Sequence, residues 1–472
     1  MIRFYFALAS FLLAAPLHAG ARPNVVFILS DDQRADTIAA LGNKQIKTPA
    51  LDRLVKNGTF FSRAYCMGGM QGAICVPSRA MILSGRTLFR VRENLDKQTT
   101  WPEVLTRLGY ATFMTGKWHN GRPSALRSFQ LGDSVFFGGM GNPLALPVAD
   151  FARGAKVRDL GKSAKHAAVQ FADEAVAFIK KQKRGQPFLA YVAFTSPHDP
   201  RVATKELHDY YDAHKPPLPA NFLPVHPFDN GEMTVRDEKL LPWPRTEKDV
   251  RQALADYYAC ITLMDAQVGR ILAALEEAGL LENTIIIFAS DHGLAIGSHG
   301  LLGKQNLYDH SMRAPLIVAG PGLPKGKTSD ALCYLLDICP TVLDLTGSEI
   351  PAEVEGKSLA PLLRGKATRL RESLLCAYRD VQRSVRDERW HLIRYPKINK
   401  TQLFDLETDP EERADLAADP AQARRVEHLM DLLRRLQKQT GDEAPLSSAR
   451  PADPRFVPPT NVEKKKTKKA RD

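Results

Sequence analysis

The strongest constraint on the fold is an alternation. Short apolar, β-branched runs recur at Asn24–Leu29, Ala111–Thr115, Pro187–Thr195, Thr284–Ala289 and Pro315–Ala319. Helical patterns stand between them, notably Asp173–Lys181 and the long stretch Asp249–Leu280. Unbroken apolar runs suit strands covered on both faces, and intervening helices supply the crossovers that parallel strands need. The pattern predicts an α/β fold with a large, mostly parallel sheet flanked by helices. Four of the runs lead at once into polar residues: Asp31-Asp32, Lys117 with His119, His198, and Asp291-His292. In such sheets ligands bind beyond the carboxyl ends of the strands. Four separate strands thus deliver candidate chemistry to one edge.

After Gly347 the pattern changes. Pro351 to Gly365 reads as a linker. Strand-like runs follow at Leu374–Tyr378, Ser384–Val385, Trp390–Arg394 and Leu403-Phe404-Asp405, then a helix from Ala421 to Gln439. This predicts a smaller C-terminal antiparallel sheet packed with one helix. The expected division is a leader over 1–21, a large α/β domain over 22–350, a small α+β subdomain over 351–445 and a basic disordered tail over 446–472. There are no internal repeats.

The leader has Arg3, an apolar run from Phe4 to Leu17 and Ala19-Gly20-Ala21 as a small-residue cleavage site, with cleavage after Ala19 as the alternative. That is the pattern of a secretory signal, too short to span a bilayer. No cysteine lies near it and no second apolar stretch reads as a membrane span, so an exported, periplasmic or secreted protein is expected. Six cysteines in 472 residues are too sparse for a disulfide scaffold. Cys333 and Cys339 either pair or are both buried. Of the formal net charge of +12, the stretch Leu446–Asp472 supplies +5, from eight Lys/Arg against three Asp/Glu. With Arg3 gone, the folded part keeps +6. A basic protein attracts anions. The candidates are nucleic acid, a membrane surface and a sulfated polysaccharide; no nucleic-acid motif is present, and export favours the polysaccharide.

Adjacent carboxylates such as Asp31 and Asp32 repel each other unless a cation neutralises them. Joined by Asp291 and His292, they make an oxygen-rich set suited to a hard divalent cation, Ca²⁺ or Mg²⁺. In Cys75-Val76-Pro77-Ser78-Arg79, Pro77 suits the first turn of a helix. Cys75 then sits just ahead of a helix N-terminus, whose partial positive charge favours an oxyanion. Arg79, about one turn on, is placed to fork hydrogen bonds onto that group. In Gly116-Lys117-Trp118-His119, two-residue spacing in an extended segment points Lys117 and His119 to one side.

The Cys75–Arg79 motif, followed by Leu83-Ser84-Gly85-Arg86, resembles the active-site signature of the sulfatase family. The resemblance runs from about Asn24 to Leu416 and includes Ser290-Asp291-His292-Gly293, Ser196-Pro197-His198, Leu302-Gly303-Lys304 and Leu403-Phe404-Asp405-Leu406. It implies the alkaline-phosphatase-like architecture and oxidation of Cys75 to formylglycine by a separate maturation enzyme. It also implies a Ca²⁺ site, with Mg²⁺ as the alternative, formed by Asp31, Asp32, Asp291, His292 and the residue at position 75. The last ligand is often Asn in that family, and His292 is a variant of it. In the implied reaction the hydrated aldehyde attacks sulfur while Lys117, His198 and Lys304 hold the sulfate. His198 or Lys304 protonates the departing oxygen, and His119 removes a proton so that sulfate leaves and the aldehyde re-forms.

His299, His310 and Arg313 border this region and either contact substrate or hold the loop, while Arg34 and Asp36 support the first loop. The expected activity is hydrolysis of a sulfate ester, with a sulfated carbohydrate as substrate. Two alternatives share the scaffold: a phosphodiesterase or phosphonate monoester hydrolase, and a catalytically silent binder of sulfated glycans. A third is surface adhesion through the basic tail.

Overall fold

The computed structural model describes residues 22–459. A ten-stranded sheet runs in the order Lys327–Ser329, Thr59–Phe61, Leu316–Ala319, Thr284–Ser290, Asn24–Ser30, Phe188–Ala193, Ala111–Lys117, Leu131–Phe136, Pro147–Ala152, Arg158–Lys162. The five strands from Thr284–Ser290 to Leu131–Phe136 are mutually parallel. Along the Asn24–Ser30 strand, Val25, Phe27 and Leu29 face one core while Val26 and Ile28 face another. Burial on both faces is why the run carries no polar alternation. The second core is closed by the helices Pro49–Asn57, Ala167–Lys180 and Glu247–Glu277, the first by Cys75–Ser84, Trp101–Arg107 and Ile338–Leu345.

The strand at Leu316–Ala319 departs from the expected parallel arrangement and pairs antiparallel with Thr284–Ser290. A parallel return needs a crossover of a dozen or more residues across the sheet. Here the connection stays at the carboxyl edge, with one short helix at Asp309–Met312, so the chain re-enters from the same end. The helix Glu247–Glu277 corrects a second expectation. It is long and apolar enough by length and composition to cross a membrane, yet 72% of its most apolar window is buried inside the protein. Its apolarity is that of a core helix.

The smaller sheet has the order Lys400–Asp405, Trp390–Tyr395, Gln382–Arg386, Leu374–Tyr378, Gly68–Gly69. Its first four strands are antiparallel, and the helix Ala423–Thr440 covers it. It is not self-contained: Gly68–Gly69 joins it from just before Cys75, pairing parallel with Leu374–Tyr378. Pro351 to Gly365, read as a linker, is also tied to the body. Glu355 accepts from Thr87, and the Lys357 amide donates to Asp337 at 2.7 Å.

The expected disorder of the tail does not hold for residues 446–459. Arg394 donates to the Leu446 carbonyl at 2.6 Å, the Asp229 amide to Pro454, and the Phe456 ring meets Trp243 edge-on. Two apolar anchors and backbone hydrogen bonds hold a stretch whose composition reads as solvated. The expected leader over 1–21 and the tail from 460 onward lie outside the described residues. All six cysteines are free and buried, so Cys333 and Cys339 do not pair.

Candidate active site

The parallel strands end at one edge, and their polar extensions converge there. Cys75 is the first residue of the helix Cys75–Ser84, one position further in than expected, with its thiol at the positive end of the helix dipole. Lys117 ends its strand after a register irregularity at Gly116, whose φ is +91°. A Cβ at Gly116 would lie 1.9 Å from the Ala193 carbonyl oxygen, so only glycine permits this approach to the neighbouring strand. The Lys117 ammonium reaches Asp31 and lies 3.7 Å from the Cys75 sulfur. His119 also meets Cys75, Nδ1 to Sγ at 3.4 Å. The two do not converge by strand alternation, because His119 has left the strand with φ +70°.

On the other side, Lys304 donates to both oxygens of Asp32 at 2.7 and 3.0 Å. The Asp32 carboxylate also lies 3.7 Å from His198 Nε2 and 3.4 Å from His292 Nε2. His198 Nδ1 pairs with the Asp199 carbonyl at 2.7 Å. Every residue singled out for the site is therefore in one cluster. The forked contact expected of Arg79 goes elsewhere, to protein groups. Its Nε donates to Asp291 at 3.0 Å, Nη1 to the Lys117 carbonyl at 2.9 Å, and Nη2 lies 3.7 Å from Asp31. It holds the carboxylates and the Lys117 backbone from beneath.

The electrostatics follow from dense charge in a dry place. Burial alone would raise Asp31, but Lys117 and Arg79 hold it well below the usual carboxylate range. Burial likewise opposes charging of Asp32, and His198 and Lys304 outweigh it, bringing the group down to about 2. Asp291 goes the other way, raised by burial and by repulsion from Asp31. Burial disfavours a charged His292, yet Asp291 and Asp32 lift it to about 9. For Cys75, Lys117 and Lys304 overcome burial and favour the thiolate.

Two overlapping groups have metal-ligand geometry: Asp31, Asp32 and Asp291, and Cys75, Asp291 and His292. Asp31 Oδ1 and His292 Nε2 are buried with no hydrogen-bond partner, an arrangement that costs free energy unless something else binds them. Three carboxylates and one imidazole, with two unpartnered polar atoms among them, fit a hard divalent cation, which would take the place of the proton on His292 Nε2.

Sequence reasoning missed several supports. The Tyr257 hydroxyl donates to the Asp32 carbonyl at 2.6 Å and accepts from the Arg34 amide at 2.8 Å. Glu238 accepts from the Leu302 and Gly303 amides, fixing the loop that carries Lys304. Ser78 donates to the Asp291 carbonyl at 2.6 Å. Only Ser78 carried a signal, its place inside the cysteine motif. Arg34 pairs with Asp36 at 2.7 Å and donates to Leu294 and Ala295, supporting the first loop. His299 stacks on Tyr308, meets His310 at 3.2 Å and the Glu412 carbonyl at 2.8 Å. His299 ties the loop to the C-terminal half, and His310 packs against it.

Residues 23–348 match the family model described as Sulfatase, and residues 297–439 match that of the N-sulphoglucosamine sulphohydrolase C-terminal domain. The chain is 26% identical to an N-acetylglucosamine-6-O-sulfatase of Bacteroides thetaiotaomicron, covering 90% of this chain and 88% of that protein. It is 28% identical to an arylsulfatase of Clostridium perfringens, covering 87% and 94%. A solved structure of a protein in complex with its substrate D-glucosamine-2-N,6-O-disulfate has a TM-score of 0.77 at 25% identity, covering 90% of this chain and 99% of that one. A phosphonate monoester hydrolase from Silicibacter pomeroyi, at 24% identity and TM-score 0.71 over 89% and 96%, shares the fold. With its alkaline-phosphatase-like sheet and this cluster at the sheet edge, the chain belongs to the sulfatase family and is a sulfuric ester hydrolase.

Proposed function

We propose that the protein is an exported sulfatase acting on a sulfated carbohydrate of the glycosaminoglycan type, with formylglycine made from Cys75 by a maturation enzyme and with bound Ca²⁺, or Mg²⁺ in its place. The observation that carries this reading is the meeting of Lys117 and His119 on the Cys75 sulfur, at 3.7 and 3.4 Å, beside two overlapping ligand groups. The amino-sugar sulfates acted on or bound by relatives support the substrate class. The apolar leader with its small-residue cleavage site supports export.

Formylglycine supplies, as its hydrate, an oxygen nucleophile for sulfur. A cation held by Asp31, Asp32, Asp291 and His292, beside position 75, supplies positive charge for the sulfuryl oxygens. Lys117 places its ammonium within reach of the same oxygens. His198 and Lys304 both face Asp32 at the sheet edge, and one of them gives the leaving sugar oxygen its proton. Arg79 holds the Asp291 carboxylate in place, 3.0 Å from Nε. His119 Nδ1 takes up the proton released at the position-75 side chain.

Matured enzyme should be offered sulfated mono- and oligosaccharides alongside phosphate and phosphonate esters, with released anion measured. Sulfate release from an amino-sugar sulfate is expected. Faster turnover of phosphonate monoesters, or glycan binding with no sulfate release, would contradict the proposal.

A further inference from the structure

We propose that Gly139 is a positioning residue for His119. The inference rests on reading His119 as the proton acceptor at position 75. His119 sits at the end of a pinned backbone. The Trp118 amide donates to the Phe136 carbonyl at 2.8 Å, and the Trp118 indole donates to Ser124 at 2.8 Å and Gly121 at 2.9 Å. With the backbone fixed, the imidazole is placed by what stands on either side of it. One side is the Cys75 sulfur, 3.4 Å from Nδ1. The other is Gly139. A Cβ there would lie 2.3 Å from His119 Nε2 and 2.5 Å from Cε1, closer than any real Cβ contact.

Gly139 does not have the positive φ that favours glycine, so its backbone would accept alanine. The three atoms nearest to such a side chain all belong to the His119 ring. The neighbours of Gly139 have other constraints. A Cβ at Gly138 would meet the Phe136 ring, and one at Gly141 would meet Leu146. Gly139 is thus where the segment turns a bare face to the imidazole. Gly139, Met140 and Gly141 line a small, partly open pocket together with Asp31 and His198. Any side chain at 139 must push the ring off Cys75 or lift the segment.

The test is a double-mutant cycle on the full-length matured enzyme with nitrophenyl sulfate, using Gly139→Ala, His119→Ala and the pair. Proton transfer by a positioned side chain contributes about 10²–10⁴-fold. Gly139→Ala should lose kcat within that range, with little change in KM. In the His119→Ala background it should cost less than about twofold, because residues acting as one unit are not additive. Equal loss in both backgrounds, a pure KM effect, or full activity of Gly139→Ala would overturn the proposal. If Gly139→Ala fails to fold, the double variant should fold, since removing the imidazole makes room; failure of both overturns it. A crystal structure of unmatured Gly139→Ala supplies a readout independent of turnover. His119 Nδ1 should leave hydrogen-bond reach of the Cys75 sulfur, and an unmoved ring would overturn the proposal. Should His119→Ala be fully active, the functional reading of His119 fails, while this structure still decides whether Gly139 places it.

Discussion

Arg79 Nε lies 3.0 Å from Asp291 Oδ2, and neither side chain is exposed. Removing one member of a buried ion pair strands the other and costs about 3–5 kcal/mol. Arg79→Ala should lower unfolding stability by roughly that amount. Arg79→Lys should not restore it, because a lysine cannot also reach the Lys117 carbonyl and Asp31 with a planar fork. Urea midpoints within error of the wild type in either variant would contradict this assignment.

The carboxylates above that pair should bind a cation without help from substrate. Added Ca²⁺ should raise the melting temperature and a chelator should lower it. Binding to the folded state alone is worth about 2.7 kcal/mol at a hundredfold excess over Kd. Asp32→Asn and Asp291→Asn each remove a charged donor from the cluster. Both should lose most of the Ca²⁺-dependent shift and most of the bound metal by elemental analysis. A wild-type melt indifferent to both Ca²⁺ and Mg²⁺ would contradict the site.

Away from the site, Asp265 on the helix Glu247–Glu277 accepts from the Ala50 and Leu51 amides at 3.0 and 2.8 Å. It caps the first turn of Pro49–Asn57 from across the core. Burial pushes its carboxyl up to about 7, against the two hydrogen bonds. A folded-state value above the unfolded one means the folded state holds the proton more tightly. The stability this confers is present at acid pH and lost as pH rises from about 4 to about 7. The stability of the wild type relative to Asp265→Asn should therefore decline over that window and level off above it. A difference that is flat or grows with pH would contradict the assignment.

The site was legible where strand ends coincide with chemistry-bearing residues. Asp31-Asp32, Lys117, His198 and Asp291-His292 each follow an apolar run, and the sheet brings them to one edge. Short or irregular strands were not legible. Thr59–Phe61 and Lys327–Ser329 have three residues each. Leu131–Phe136 is broken by Gly132-Asp133-Ser134, and all of Arg158–Lys162 is exposed. Tyr257 and Glu238 were invisible because they act through contacts distant in sequence. Tyr257 meets Asp32 across 225 positions, which no local spacing encodes. Arg79 was legible as a residue, but its direction depends on which carboxylates lie beneath the helix.

Leaving-group chemistry separates the two candidate acids from simple anion binders. A sugar alkoxide needs a proton as it departs, whereas a nitrophenolate needs little. His198→Ala and Lys304→Ala should hurt kcat on a sugar sulfate more than on nitrophenyl sulfate. General acid catalysis contributes about 10²–10⁴-fold, so the gap is large if one residue is the sole donor. Equal losses on both substrates in both variants would assign the residues to sulfate binding alone.

The most direct measurement is the mass of the peptide containing position 75 from active enzyme. The Cys75 thiol is buried, favoured as thiolate by Lys117 and Lys304, and flanked by His119. Conversion of cysteine to the aldehyde lowers the peptide mass by about 18 Da, a side-chain oxidation of a reactive thiol. The account predicts that mass in active protein, and no turnover from Cys75→Ala with the fold intact. Full activity in a preparation whose position 75 is entirely unmodified cysteine would contradict it.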